Sequence, residues 1–587
     1  MKKGISPVVA TALLLVVAVV AVVSFNTWFS AYESKTLTGV EQQGSGSGIP
    51  QVDSVIGSSL YINNPSTTSL NVTSVNIAGK PCANSATLAS KGITPINISS
   101  CVTNLTSGQV YDAVIVTNQG TYSKKFYNKG VSSSLASISV INITPVLARR
   151  INATDYGNGI ASDSSGNMYV IGTYTGATIG TLAPGVILPV ANAGSQDVFI
   201  TKYNSTGTAQ WVKVINSTGS DNGFGIGTDG SGNVYVTGIY YNGPVNLGSG
   251  VILPAANGGG PDIFLIKYSS AGVPQWKNVI NSTAFDYGYA LTVDSIGNSY
   301  ISGFYRNGPI NLGNGVILSA SASGSADAYL VKYNSAGIPQ WVSKINSTGS
   351  DLSRSVAVDS SNNVYISGFY SNGPVTLAPG VVLPVATNSD GYVIKYNSTG
   401  GALWAKRVNS SNTVTSKVTV DSSGNVIVEG YYTGAITIAP GVTLPASTSG
   451  SQDVFIVKYD ALGTAQWARR VNSTAYDESY HIAVDSSNNI YVCGRYDTSS
   501  ITLAPGIVLP APASGTGGFF IKYDPSGTVQ WAKKLGSTGG DIIQGISIDN
   551  SLNFYITGYY RSSLITLAPG VTLPTTPLTN AFIVKYH

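Results

Sequence analysis

The sequence predicts a mainly β protein with a long hydrophobic N-terminal α-helix, a small β-sandwich and a seven-bladed β-propeller. Three observations predict it: an uncharged run at residues 5–32, alternating apolar and polar residues from about 50 to 144, and a repeat of 63–65 residues in the remainder. We expect the helix at 5–43, the sandwich at 49–144 and the propeller at 145–587.

The N-terminal run is apolar on all sides and long enough to cross a bilayer, which takes about 20 helical residues. In lipid every backbone amide must bond internally, so this β-branched run is expected to be helical. Trp28, Phe29 and Tyr32 follow it, where an interfacial aromatic belt is expected. An ordinary secretory signal has a shorter apolar run of about 7–15 residues. A cleaved signal, a permanent anchor and a filament stalk are the three alternatives.

The residues that begin this run, KKGISPVV at positions 2–9, resemble the N-terminus of archaeal type IV pilins. The resemblance implies a class III signal peptide, with residues 1–4 as leader, cut by a prepilin peptidase between Gly4 and Ile5. The helix would then be held in the membrane before it packs against its own copies in a filament core. Val9 stands where bacterial type IV pilins carry a glutamate. The implied core residues are Leu13, Leu14, Leu15, Val16, Val19, Val20 and Val23.

After a glycine- and serine-rich linker at 44–48, residues 59–63, 70–75 and 110–116 alternate apolar and polar side chains. Such segments, separated by turn residues, predict antiparallel strands and a β-sandwich. Heads of archaeal pilins resemble this arrangement, which implies an immunoglobulin-like fold.

Two features favour an exported protein. Cys82 and Cys101 are close in sequence and could form a disulfide, the alternative being a chance pair of free thiols. Twelve Asn-X-Ser/Thr sequons favour N-glycosylation, although repeat duplication inflates their number. The candidate asparagines are Asn71, Asn97, Asn104, Asn142, Asn152, Asn204, Asn216, Asn281, Asn346, Asn397, Asn409 and Asn472.

The repeat is the strongest signal in the chain. Three markers recur seven times each: a tryptophan position, an Asp-turn-strand and a Lys-Tyr pair. The tryptophans are at 211, 276, 341, 404, 467 and 531, with Leu147 at the seventh position. Each unit divides into four strand-sized pieces, which in the second unit are 225–229, 233–238, 263–268 and 275–280. Seven units of four short strands predict a propeller.

The phase of the repeat predicts how the ring closes. The last unit ends after its third strand, at Tyr586, and a spare fourth strand precedes the first unit, at 146–151. Pairing the two would complete the last blade. The units resemble the SBBP-type β-propeller repeats of bacterial and archaeal exported proteins, on the turn-strand DSSNNVY at 359–365, the strand DVFIVKY at 453–459 and the Gly-X-X-Gln-Trp step.

Each unit also carries a version of Leu-Ala-Pro-Gly-Val-X-Leu-Pro, as at 182–189 and 377–384, with a looser copy at 247–254. Strand alternation places these segments on the same face as Asn216 and its five counterparts in the repeat, so we expect the opposite face to be freer for binding.

The sequence offers little for catalysis. There are two histidines, at 481 and 587, and no Ser-His-Asp set, metal cluster or phosphate loop. Asp477, Glu478 and Asp485 are near one another, and a surface loop is the simplest interpretation. We therefore expect no catalytic residues, no metal and no cofactor. The net charge is only +4, and the sequence has no visible basic patch. Both observations argue against nucleic acid as a partner.

These features predict a structural subunit of an archaeal type IV pilus-like extracellular filament, displaying the propeller for adhesion to carbohydrate or cell surfaces. Its expected partners are copies of itself, the prepilin peptidase with the membrane assembly machinery, and the membrane before assembly. The alternative is a membrane-anchored cell-surface glycoprotein whose propeller is a binding module.

Overall fold

The computed structural model describes eight strands between residues 51 and 127 and most of residues 145–587. Between 145 and 587, gaps of one to three residues fall at 152–154, 177–179, 193–194, 258–259, 322–323, 387, 410–412, 448–450, 513–514, 537–538, 563 and 570. The chain divides into two compact units, residues 1–142 and 143–587. The expected N-terminal helix lies outside the described residues. Among those that are described, no helix has the length and apolarity needed to span a bilayer.

The first unit contains two antiparallel sheets. Its strands are β1 (Gln51–Ile56), β2 (Ser59–Asn64), β3 (Leu70–Ile77), β4 (Lys80–Ala83), β5 (Ala86–Leu88), β6 (Gly92–Asn97), β7 (Val110–Thr117) and β8 (Gly120–Tyr127). One sheet has the order β1-β2-β6 and the other β4-β3-β7-β8, with β5 paired to β3. The sheets are in contact through β1 and β8. Val72, Val75 and Ile115 are buried, and the register between β3 and β7 shifts between Val72 and Ser74.

The second unit is a seven-bladed β-propeller. It opens with β9 (Pro145–Ile151). Blade 1 is β10 (Asp155–Ser162), β11 (Met168–Tyr174), β12 (Gly180–Ala183), β13 (Val186–Leu188), β14 (Asp197–Tyr203) and β15 (Ala209–Ile215). Blade 2 is β16 (Asn222–Thr228), β17 (Val234–Tyr240), β18 (Val245–Gly248), β19 (Val251–Leu253), β20 (Asp262–Tyr268) and β21 (Pro274–Ile280). Blade 3 is β22 (Tyr287–Val293), β23 (Ser299–Tyr305), β24 (Ile310–Gly313), β25 (Val316–Leu318), β26 (Asp327–Tyr333) and β27 (Pro339–Ile345).

The remaining blades repeat this order. Blade 4 is β28 (Leu352–Val358), β29 (Val364–Ser371), β30 (Val375–Ala378), β31 (Val381–Leu383), β32 (Ser389–Tyr396) and β33 (Ala402–Val408). Blade 5 is β34 (Val414–Val420), β35 (Val426–Tyr432), β36 (Ile436–Ala439), β37 (Val442–Leu444), β38 (Asp453–Tyr459) and β39 (Ala465–Val471). Blade 6 is β40 (Asp477–Val484), β41 (Ile490–Asp497), β42 (Ile501–Ala504), β43 (Ile507–Leu509), β44 (Thr516–Tyr523) and β45 (Val529–Leu535). Blade 7 is β46 (Ile542–Ile548), β47 (Phe554–Ser562), β48 (Ile565–Ala568), β49 (Val571–Leu573) and β50 (Thr576–Tyr586).

Every blade is a four-stranded antiparallel sheet with a two-stranded hairpin between its second and third long strands. The hairpins are the Leu-Ala-Pro-Gly copies, and each contacts the fourth strand of its own blade. In blade 7 the fourth strand is β9, which pairs with β50 in a register that joins Ala581 to Ile151 and Tyr586 to Pro145. The ring is therefore closed by strands from the two ends of the propeller.

The core lies between blades. The described apolar residues of the propeller form seven clusters, each shared by two neighbouring blades. The joint between the last and first blades is one of them, with Ile151 and Ile583 packed against Ile160 and Val170. Burial of this apolar surface around the whole ring is the main force that stabilises it.

The repeated polar residues have structural roles. Asp163 accepts hydrogen bonds from the amides of Ser165 and Asn167 and from the Tyr169 hydroxyl, so it caps its own turn. The Trp211 indole donates to the carbonyl of Ser270 in the next blade, at 3.2 Å, and the Lys202 ammonium donates to the same oxygen. The indole contact recurs at four further tryptophans and the ammonium contact at five further lysines, while the Trp531 indole has no hydrogen-bond partner among the described residues. These contacts clamp one blade to the next and explain the repeat of Trp and Lys-Tyr.

Candidate functional site

The first strand of each blade, here called the inner strand, lines a central channel. A cavity of about 370 Å³ runs along the middle of the seven inner strands, bounded by small and aliphatic side chains such as Ala161, Ile226 and Val356. A second cavity of about 580 Å³ lies where the inner strands begin. Cavities of that size are typical of ligand sites. We call this second cavity the channel mouth.

Each inner strand has a β-bulge at the channel mouth. In blade 2, for example, the pairing register shifts between Gly223 and Gly225, which leaves Phe224 as the extra residue. The same shift is present in all seven blades. A bulge re-aims the side chain of its extra residue. The seven extra residues, which we call the bulge ring, are Asn158, Phe224, Tyr289, Arg354, Ser416, Tyr480 and Gln544, and all seven line the channel mouth.

The bulge ring varies where the rest of the repeat does not. Five residues after each bulge the same aspartate recurs in all seven units, whereas the bulge position carries six residue types in seven units. A position that only had to pack would be expected to resemble its neighbours. The variation therefore indicates that the mouth is asymmetric, with a different chemical group on almost every blade.

One side of the channel mouth is aromatic: Phe224 and Tyr289 line it, and Tyr287 and Phe304 are in ring contact with them. The rings of Tyr287 and Phe304 stack 5.0 Å apart with planes 17° from parallel, and Tyr289 lies 5.4 Å from Tyr287. Phe224 contacts both tyrosines from the neighbouring blade. We call these four residues the aromatic wall. They are only partly buried apart from Phe304, so ring faces remain available to a ligand.

The opposite side of the mouth carries charges. The Tyr480 hydroxyl donates to Glu478 Oε2 at 2.5 Å, and Arg495 Nε donates to the same oxygen at 3.0 Å. Burial and then the neighbouring Glu478 carboxylate hold the pKa of Tyr480 above its usual range, so the phenol stays protonated. Arg354, on blade 4, lies beside the aromatic wall rather than opposite it, and its guanidinium is 5.6 Å from the centre of the Phe369 ring.

Beneath the mouth, two blades bury ionisable groups where the others have small or apolar ones. Lys417 is opposite Glu429 in the register of blade 5, and His481 is opposite Cys493 in blade 6. Burial raises the pKa of Glu429, whose two carboxylate oxygens have no hydrogen-bond partner among the described residues. Burial and then Lys417 lower the pKa of His481 to about 3, so this ring is neutral. Within the described part of the chain, no group of three or more His, Cys, Asp and Glu residues is placed to hold a metal ion.

The acidic residues assigned from sequence to a surface loop lie elsewhere. Asp477 is buried at the start of the inner strand of blade 6, Glu478 is at the channel mouth, and Asp485 caps its turn like Asp163. That interpretation was wrong because the strand begins earlier than its apolar residues indicate. The channel mouth also lies on the hairpin face, since the end of each second strand pairs with the beginning of the inner strand. The sequence analysis expected the face opposite the hairpins to be freer for binding, whereas the larger of the two cavities opens on the hairpin face.

The sequons that share one phase of the repeat lie in loops with a structural role. The Ser217 hydroxyl donates to Asp221 at 2.6 Å, and Ser282 donates to Asp286 in the same way. Ser217 and Ser282 are buried, while Asn216 is exposed. Asn204 and Asn397 cap the turn between third and fourth strands. Of the first unit's sequons, Asn71 is exposed and accepts from Thr87.

Asn346 is exposed and Asn281, Asn409 and Asn472 are half-buried, whereas other sequence-predicted site residues lack described side chains. Cys82 is in β4 and Asn97 ends β6. The cleavage residues Gly4 and Ile5, the filament helix, Cys101, Asn104, Asn142 and Asn152 lie outside the described residues. The bulge ring and the aromatic wall were not predicted from sequence. Aligning the seven units on their aspartate would have shown the variable position.

The buried aspartates of the sequon loops give a pH prediction. Burial raises the pKa of Asp221, Asp286, Asp351 and Asp477 to about 7, against hydrogen bonds from the loop serine. These carboxyls are protonated in the folded protein and ionised in the unfolded chain between about pH 4 and pH 7. Their contribution to stability is complete below the unfolded pKa and is lost as the pH rises through 7. We expect the melting temperature, measured by calorimetry, to fall by several degrees between pH 5 and pH 8.

Asp221→Asn is the control for this prediction, because it removes one titrating group and should flatten the pH profile. Below about pH 4 the trend should reverse. There, hydrogen bonds hold the pKa of turn aspartates such as Asp163 and Asp229 below the usual value despite burial, and these groups lose their stabilising charge as the pH falls. A melting temperature that rises steadily from pH 5 to pH 8 would contradict the assignment.

Fold and site together define a propeller whose channel mouth has the features of a ligand site. A family model described as "SBBP: Beta-propeller repeat" matches residues 466–495, from the fourth strand of blade 5 through the second strand of blade 6. This agrees with the repeat resemblance read from the sequence.

Two relatives and many solved structures are similar to this chain. An "Uncharacterized WD repeat-containing protein" of Acanthamoeba polyphaga mimivirus is 25% identical over 493 residues, which cover 70% of this chain and 35% of that protein. "Regulatory protein FlaEY" of Caulobacter vibrioides is 28% identical over 174 residues, 29% of this chain and 18% of that protein. The matches thus span about a third and under a fifth of these relatives.

Among solved structures, a protein of unknown function from Dyadobacter fermentans covers 76% of this chain and 99% of its own, with 9% identity and a TM-score of 0.35. An ulvan lyase of polysaccharide lyase family PL25 covers 70% and 93%, with 11% identity and a TM-score of 0.36.

Proposed function

We propose that this chain is a surface-displayed carbohydrate-binding protein, the subunit of a type IV pilus-like extracellular filament whose propeller binds its ligand at the channel mouth. The observation that supports binding is the bulge ring, because an otherwise regular ring presents seven re-aimed and chemically diverse side chains into one cavity. Aromatic faces beside a few polar groups suit sugar rings, which have apolar faces and hydroxyl edges.

The filament part of the proposal is supported by the sequence at positions 2–9 and by the uncharged run that follows. A segment this apolar must be covered by lipid or by other copies of itself. In the assembled filament, after cleavage between Gly4 and Ile5, the propeller would lie outside the cell. Its partners would be copies of the chain. Before assembly they would be the prepilin peptidase, the assembly machinery and the membrane.

Purified surface filaments test the proposal directly. We expect helical reconstruction to show propellers around a helical core, and N-terminal sequencing to begin at Ile5. The filaments should bind immobilised polysaccharide, and Tyr289→Ala should weaken that binding about 10-fold by removing one face of the aromatic wall. Leu462→Ala, in the exposed turn between the third and fourth strands of blade 5 and not among the residues that line the mouth, is the matched control. Protein found only in membranes and still beginning at Met1 would favour the anchored glycoprotein instead.

One observation favours a second function. Arg354 and Glu478 both line the mouth, Arg495 is paired with Glu478, and charged groups gathered in a cleft also occur where polysaccharides are cleaved. The binding experiment therefore includes the length of the polysaccharide after incubation. If the wild-type protein shortens the polysaccharide and Glu478→Gln does not, the function is cleavage of polysaccharide rather than adhesion.

A further inference from the structure

The charged groups at the channel mouth differ in whether they have ion-pair or hydrogen-bond partners. Arg495 is paired with Glu478. Arg354 makes no ion pair with any residue that the structure describes, and its buried Nε has no hydrogen-bond partner there. A buried donor without a partner destabilises the folded protein, and more so when it belongs to a charged group. Arg354 is thus a cation that no described residue of the fold pairs with.

The surroundings of Arg354 hold it in place without neutralising it. Its guanidinium lies over the Phe369 ring, a contact that orients the group and leaves its charge intact. Lys417, on the next blade, also lines the mouth. Burial lowers the pKa of Lys417 and raises that of Glu429 opposite it, so burial favours the neutral forms of both groups. Arg354 therefore carries the positive charge on this side of the mouth.

The fold does not require arginine at this position. The equivalent residues on the other blades are Asn158, Phe224, Tyr289, Ser416, Tyr480 and Gln544. Each takes the same bulge and the same place in the ring. Arginine in one unit of seven is therefore explained better by what it contacts in the cavity than by what supports the blade.

We propose that the ligand of the channel mouth is an acidic polysaccharide, and that Arg354 binds the carboxylate of a sugar residue whose ring packs on the aromatic wall. This inference rests on the proposed function and names its ligand class. A guanidinium presents two parallel N–H donors that match the two oxygens of a carboxylate. Phe224 and Tyr289 occupy the two bulge positions that precede Arg354 around the ring, so a sugar on the wall and its acidic group on Arg354 can be held together.

The test uses the purified full-length chain in detergent and three immobilised polysaccharides: polygalacturonate, its methyl-esterified form, and neutral dextran. The methyl ester removes the charge and keeps the sugar. We expect the wild-type protein to bind polygalacturonate at least 10-fold more tightly than the other two, and added salt to reduce the difference. Arg354→Gln should abolish this preference while leaving the melting temperature nearly unchanged, because Gln544 already occupies the equivalent position in blade 7.

Lys277→Gln removes a positive charge from the fourth strand of blade 2, outside the mouth, and is the matched control. Equal binding of polygalacturonate by wild-type protein and Arg354→Gln would overturn the inference. Equal binding of all three polysaccharides by the wild-type protein would also overturn it, and would leave carbohydrate binding itself intact. Binding of none of them would overturn both the inference and the carbohydrate part of the proposed function.

Discussion

Gly558→Ala should destabilise the propeller by about 3 kcal/mol or more and leave most of the protein insoluble on expression. Gly558 lies in the second strand of blade 7, where a Cβ atom would overlap the carbonyl oxygen of Ile542 on the inner strand. The obstacle is backbone held in a sheet, so it cannot swing aside. Urea unfolding followed by tryptophan fluorescence measures the effect on the soluble fraction.

Gly540→Ala is the matched control, because nothing lies within 4 Å of the position that its Cβ would take. It should unfold at the same urea concentration as the wild-type protein. The glycine of the second strand recurs in every blade, so Gly368→Ala in blade 4 should reproduce the loss. A soluble Gly558→Ala protein with an unchanged midpoint would show that the inner strand is less closely packed than the structure indicates.

Ile151→Asp should open the joint between the last and first blades. Ile151 is fully buried in β9 and packs in the cluster shared by blades 7 and 1. A carboxylate there has no cationic partner in that cluster, and an unpaired buried charge costs about 3–5 kcal/mol. We expect a lower urea midpoint and, by size-exclusion chromatography, a larger hydrodynamic radius or aggregates, because β50 would become an unpaired edge.

Val146→Asp in the same strand separates this effect from a general effect of charge. Val146 is 50% exposed, so its replacement should change the free energy of unfolding by less than about 0.5 kcal/mol. If Ile151→Asp and Val146→Asp unfold alike, pairing of β9 with β50 does not hold the ring together.

The fold of the repeat region was predictable because seven copies report the same pattern. The tryptophan, aspartate and Lys-Tyr markers fix the phase of each unit. The phase predicts that the strand before the first unit pairs with the third strand of the last unit, and β9 and β50 form this pair. The immunoglobulin-like character of the first unit remains a prediction, since two contacting antiparallel sheets are compatible with several sandwich topologies.

The site was missed for a physical reason. A strand is recognised in sequence by a period of two, and a bulge breaks that period by one residue. In the second unit the predicted inner strand began at Gly225, whereas the observed strand begins at Asn222. Phe224 therefore fell outside the predicted element, and Asp477 and Glu478 were assigned to a loop although they belong to the inner strand of blade 6. The side chains that line the channel mouth are mainly the extra residues of the bulges and residues that precede the bulges in the inner strands.

The closure of the ring also decides how it responds to mechanical load. Everything before Pro145 is joined to the propeller through β9, whose partner β50 ends the chain at the same edge. Tension applied from the N-terminal side reaches β9 first, where it is shared between the pairing with β50 and the backbone that continues into β10 of blade 1. In the proposed filament, a load that pulls while the channel mouth holds a ligand would therefore strain the joint between blades 7 and 1 first.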